Sequence, residues 1–228
     1  MKTKLAIILF LLMSLLTACN FAKSSPTAIP SIPPTSLPFP TSLPTEEPPP
    51  VIVITPSTTP SLVDQTVIDR ASEVIQVLKD QDFITLSAYI HPVDGLRFSP
   101  YAFVSDSDVV LSADEVADIL ADSRSFTWGL YSGSGESISL SFMGYYSQFI
   151  YDVDFANAPK MDLNHRLGVS TSMDNIFEFY PSAKMVEFYF PGFDPQFDGM
   201  DWRSLRLVFT QHDSIWYLVG IVHDQWTT

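Results

Sequence analysis

Residues 220 to 226 read GIVHDQW, an apolar run that ends by delivering a histidine, an aspartate and a tryptophan side by side. An imidazole within hydrogen-bond reach of a substrate proton, oriented by a carboxylate, is the usual construction of a general base. If a strand runs regularly through His223 and Asp224, their side chains leave it on opposite faces, so they form no direct dyad. The orienting carboxylate must then come from elsewhere, and Asp94, Asp152 and Asp154 are the candidates. Two other readings compete with catalysis. In one, His223, Asp224 and Trp226 bond loop backbone and seal the mouth of the domain; in the other, they rim a non-catalytic ligand pocket.

The remaining histidines are weaker candidates. His212 falls in an expected hairpin turn and His165 in irregular sequence, while His91 precedes Pro92 at a helix end, where an imidazole can bond terminal carbonyls. The patterns GxSxG, SxxK, HExxH and GxxxxGK[ST] are absent, and SGSGES lacks the lysine that contacts phosphates. Cys19 is the one cysteine, which excludes disulfides, thiol catalysis and cysteine-ligated metals downstream. FDPQFDGMD, with Asp194, Asp198 and Asp201, is acid-rich but matches no EF-hand spacing, and no metal or cofactor is assigned. Most aromatic residues occupy alternating strand positions and read as core, leaving Trp226 as the expected exposed one.

These residues need elements to hold them. Val63, Val67, Ala71, Val74, Ile75 and Leu78 recur at helical spacing, and a second short helix is expected from Asp82 to Ile90. Short strands are expected at 96–98 and 101–104. Ser112 with Glu115 forms a capping box that opens a helix to about Ala121. Residues 126–131 and 137–140 read as a hairpin, and 142–150 as another short helix. Strands at 175–180, 184–190, 202–210 and 215–223 follow, the last two pairing around residues 211–214. That turn would set Phe209 opposite Tyr217, Leu205 opposite Ile221 and Arg203 opposite His223, all on one face. A candidate pocket at the rim is thereby assembled from His91, Arg97, Tyr101, Arg203, His223, Asp224 and Trp226.

Helices first and an antiparallel sheet last give the class α+β. A helical hairpin followed by a curved sheet that closes on WYLVGIVHDQW is similar to the cystatin-like cone of the nuclear-transport-factor-2-like superfamily. HPVDGLRFSPY, WGLYSGSGE, GFDPQFDGMDWRSLRLVF and WYLVGIVHDQW further resemble a group of exported bacterial proteins without an assigned activity. Neither resemblance brings catalytic residues with it.

The N-terminus supplies the address. Lys2 and Lys4, the apolar run Leu5 to Leu16 and the small residues Thr17 and Ala18 have the layout of a signal peptide over residues 1–18, too short to be a membrane span. Leu16-Thr17-Ala18-Cys19 resembles the lipobox of bacterial lipoproteins, which implies acylation of Cys19 and an anchor on the membrane, facing away from the cytoplasm. Between Pro26 and Pro60 lie 12 of the 18 prolines, so residues 19–62 read as a lipidated N-terminus and an extended Pro/Ser/Thr-rich stalk. The globular domain is residues 63–228.

Of 26 acidic and 12 basic residues, Glu46, Glu47, Lys2, Lys4 and Lys23 precede that domain, which leaves 24 against 9, a net −15. Such a charge repels phosphate backbones and excludes nucleic acid as a partner. The sequence thus describes a lipid-anchored extracytoplasmic protein carrying a ligand-binding or interaction module, its ligand a small molecule, a cell-wall component or a protein. The alternative is a hydrolase or isomerase with His223 as general base.

Overall fold

In a computed structural model the described residues are Pro60 to Thr227, and the signal peptide, Cys19 and most of the Pro-rich segment lie outside them. Helix α1 spans Leu62–Lys79; Ser61 caps it by accepting from the Asp64 amide, and Val67, Ala71, Val74, Ile75 and Leu78 are its buried stripe. After a turn comes α2, Phe83–Ser87, capped by Asp82. It ends earlier than the sequence suggests, because Tyr89 to His91 leave the helix to bond β-strand backbone at Leu218.

Strand β1 is Leu96–Ser99 and β2 is Val109–Leu111. The strand expected at 101–104 is absent; that segment bends. Ser112 and Glu115 do form a capping box, on α3 at Ala113–Ala117, which tightens into a 3₁₀ turn at Ile119–Ala121. Strands β3 (Ser125–Leu130) and β4 (Ser137–Ser141) make the expected hairpin, and α4 (Phe142–Tyr145) runs on into a π-helical turn to Ile150. Strand β5, Lys160–Leu163, follows. Residues 175–180 are not a strand but the short helix α5, Ile176–Phe179. Its opening is set by side chains: Asp174 accepts from the Ile176 amide, and Asn175 brackets the Val104 backbone through both its amide oxygen and nitrogen.

Strands β6 (Lys184–Phe190), β7 (Arg203–His212) and β8 (Ile215–Gln225) complete a six-stranded sheet of order β2-β1-β8-β7-β6-β5. It is curved, unclosed and mostly antiparallel, and β1 pairs with β8 in parallel. The class is a mixture of helix and sheet, with the main core between α1, α2, α4 and one sheet face, where Phe83, Phe98, Trp128, Phe142, Tyr145 and Phe209 pack. A smaller cluster, including Ile176, Met185, Val208, Val219 and Val222, covers the other face.

The β7–β8 register departs from expectation in two steps. The turn has only two residues, Asp213 and Ser214, both at positive φ, so Phe209 meets Leu218 rather than Tyr217. A bulge then lets Val208 pair with Gly220, skipping Val219, and from there Leu205 lies opposite His223 and Arg203 opposite Gln225. Because the bulge restores the side-chain phase, Leu218, Ile221 and His223 end on the helix-covered face.

Candidate functional site

The far end of the β7–β8 hairpin carries the candidate chemistry. Arg203 and His223 lie on the same face, as the sequence suggests, and a carboxylate from the turn after α4 joins them. Asp152 Oδ2 accepts from Arg203 Nε at 2.8 Å, and its Oδ1 sits 3.3 Å from His223 Nε2. Of the three carboxylates considered for His223, Asp152 is therefore the neighbour. The His223–Asp152 contact has ion-pair distance without hydrogen-bond alignment, for both ring nitrogens and Oδ1 lack an aligned partner. Burial pushes the Asp152 carboxyl up, but the His223 imidazole and the Arg203 guanidinium outweigh it and hold the group below the ordinary carboxylate value. His223 itself has 0 % exposure, with the edge of the Phe149 ring against it.

Asp224 goes to the opposite face. There it belongs to a buried ionic cluster that the sequence reading missed. Arg206, with no exposed surface, places Nη2 at 3.1 Å from Glu187 Oε1 and 3.0 Å from Asp224 Oδ2. Arg166 adds contacts to Asp174 at 3.3 Å and Asp224 at 3.4 Å. Glu187 also accepts from the Ser204 hydroxyl and from the Gly168 amide, while the Gly168 carbonyl accepts from Arg206. The Trp202 ring packs so closely on Gly168 that a Cβ there would lie 2.6 Å from Cζ3. The cluster pins residues 166–174 onto the sheet. Its signal in the sequence is one glutamate and one arginine inside neighbouring apolar strands, and these pair directly across β6 and β7.

The other candidates do not converge on His223. His91 lies near the turn end of β8, edge-on to His212 and Tyr217, and its Nδ1 accepts from the amides of Val93 and Asp94 rather than bonding helix carbonyls. Arg97 faces the smaller cluster, donating to the Tyr180 hydroxyl and the Ser105 carbonyl with its guanidinium over the Phe179 ring. Tyr101 packs on Phe149, and its hydroxyl accepts from the Ser132 amide. The expected single pocket rim thus breaks up: His91 lies at the turn end of β8, Arg97 and Asp224 lie on the face away from His223, and the Phe149 ring stands between Tyr101 and His223. Alternation along β1 and the length of β8 explain the separation.

No family model, curated protein or solved structure matches the chain.

Trp226 does reach the surface, at 42 % exposure. With Phe197, Met200, Asp201, Arg203 and Gln225 it lines an open groove of ≈ 510 Å³. The loop beneath is held internally: Asp201 Oδ2 accepts from the amides of Phe193 and Asp194, and Asp194 caps the 3₁₀ turn at Pro195–Phe197. Arg203 is fixed on three sides, by Asp152 and by the carbonyls of Asp201 and Trp202, with its side chain 28 % exposed. The arrangement offers an aromatic face, two further apolar side chains and an oriented guanidinium. Among the described residues no trio of His, Asp or Glu is placed to hold a metal ion.

Proposed function

We propose that the chain is a lipid-anchored bacterial protein facing away from the cytoplasm, whose domain is a non-enzymatic interaction module that holds a glycan of the cell envelope in the Trp226 groove. The groove carries this reading: exposed Trp226, Phe197 and Met200 stand beside Arg203, Gln225 and Asp201 in an open trough of ≈ 510 Å³. A sugar ring has an apolar C–H face and a hydroxylated edge, which an aromatic plane and fixed polar groups match together. An open trough also suits a polymer better than a molecule that must be enclosed. In this reading the helices and curved sheet form a cystatin-like cone, and the signal peptide, Cys19 and the Pro-rich segment deliver and tether it.

Catalysis through His223 ranks second, because a general base must reach the substrate proton and this imidazole has no exposed surface. Its place behind Asp152 suits it to support Arg203. Co-sedimentation with purified sacculi is the test. Wild type should pellet, and Trp226→Ala combined with Phe197→Ala should weaken retention at least tenfold with unchanged circular dichroism; equal retention of the double variant would remove the groove from the proposal.

A further inference from the structure

A second surface, sharing no residue with the Trp226 groove, lies where α2 meets α3 and its 3₁₀ extension. Phe83, Val116 and Ile119 turn into the core, and that packing leaves Ile84 at 74 % and Leu120 at 62 % exposure on the outside. They line a trough of ≈ 240 Å³ together with Ala117 and Ala121. Two exposed branched apolar side chains across one groove are what an anchored partner side chain fills.

The rim of this trough is acidic. Asp82 and Asp118 both line it, and Asp118 is shared with an adjoining concavity formed by Asp114, Glu115, Asp122 and Arg124. The only base there is engaged: Arg124 donates to both oxygens of Asp122. Bonds from Thr85 lower the pKa of Asp82, bonds from Ser112 lower that of Glu115, and bonds from Arg124 lower that of Asp122. Those three carboxyls therefore hold their charge to lower pH than free carboxyls do. Their field adds to that of a domain of net −15, which repels anionic surfaces and draws cations in.

We infer that this face docks a basic amphipathic helix of a partner protein, with apolar side chains between Ile84 and Leu120 and lysine or arginine side chains on the Asp82, Asp118 and Glu115 rim. Apolar contact supplies the affinity and the rim the orientation and the association rate. An anionic membrane surface does not fit, because the same rim would face like charge.

The probe is a fluorescein-labelled 18-residue Leu/Lys helix, and its control is a scrambled peptide of identical composition. Anisotropy is measured on the full chain carrying Cys19→Ser, so that no acyl chain competes for the peptide. The amphipathic peptide should bind at least tenfold tighter than the scrambled one, and Ile84→Ser with Leu120→Ser should remove that difference. Asp118→Asn should weaken binding and flatten its salt dependence, whereas Trp226→Ala should leave it unchanged. Both apolar positions are exposed, and unchanged thermal melting of the double variant confirms the fold. Equal binding of the two peptides, or of wild type and the Ile84→Ser/Leu120→Ser variant, overturns the inference. Self-association that Leu120→Ser abolishes, with no peptide bound, overturns it in favour of a contact between copies of the chain.

Discussion

Arg206 sits inside β7 with no exposed surface and three carboxylates around it, Glu187 at 3.1 Å, Asp224 at 3.0 Å and Asp174 at 3.6 Å. Truncating one member of such a group strands the others as buried uncompensated charge. Arg206→Ala should therefore cost about 3–5 kcal/mol in urea unfolding followed by circular dichroism. A loss no larger than that of an exposed substitution would show that the cluster is not the fastener of residues 166–174. Asp152 is the corresponding residue on the other face. Its carboxyl titrates lower when folded than the ordinary 3.8, so it contributes stability fully present above that value and lost as the pH falls through the folded value. Asp152→Asn should remove a charge-assisted bond worth about 1.5–3 kcal/mol at neutral pH, with the difference from wild type shrinking in acid. The sequence put Arg203 and His223 on one face through alternation, but it left Asp94, Asp152 and Asp154 open as the carboxylate and missed the register that sets Arg203 opposite Gln225. It hid Arg206, since an arginine between Leu205 and Leu207 reads as a solvent-facing position. That reading fails when irregular chain such as 166–174 covers the second face of a sheet.

Among the elements, the long helix and the strands with unbroken alternation could be read from their periodicity. Residues 175–180 could not: NIFEFY is short enough to suit strand or helix, and the bond Asp174 accepts from Ile176 and the pair Asn175 exchanges with Val104 decide it. The β7–β8 register was hidden for a related reason. Neither a two-residue turn of Asp213 and Ser214 nor a bulge at Val219 has a strong side-chain signature, since Asn-Gly and Asp-Gly are the usual markers of such a turn. The turn nevertheless sets which side chains reach the Arg203 end. Ser214 adopts φ +66°, a left-handed conformation that glycine reaches without its steric cost. Ser214→Gly should leave the register intact and raise stability by roughly 0.5–1 kcal/mol, seen as a higher Tm. A lower Tm would mean that the flexibility glycine adds to the unfolded chain exceeds the strain it relieves.

At the scale of the whole molecule, a domain of net −15 meets its partners through its charge as well as its shape. Twelve of the 18 prolines lie between Pro26 and Pro60, ahead of that domain. Among the described residues no helix is long and apolar enough to cross a membrane; the proposed attachment rests on the N-terminal segment, which lies outside them. Composition exposes that segment more clearly than any fold pattern exposes the groove, because an apolar run, two small residues and a cysteine must stand in fixed order to be processed. In the proposed reading the tether depends on acylation of Cys19, and one acyl chain gives only reversible binding, whereas two or more hold. Cells fed labelled palmitate should therefore incorporate it into the wild-type chain and not into Cys19→Ala, with the variant leaving the membrane fraction. An unlabelled wild-type chain would dismiss the anchor, and a labelled Cys19→Ala would move the attachment away from the only thiol in the sequence.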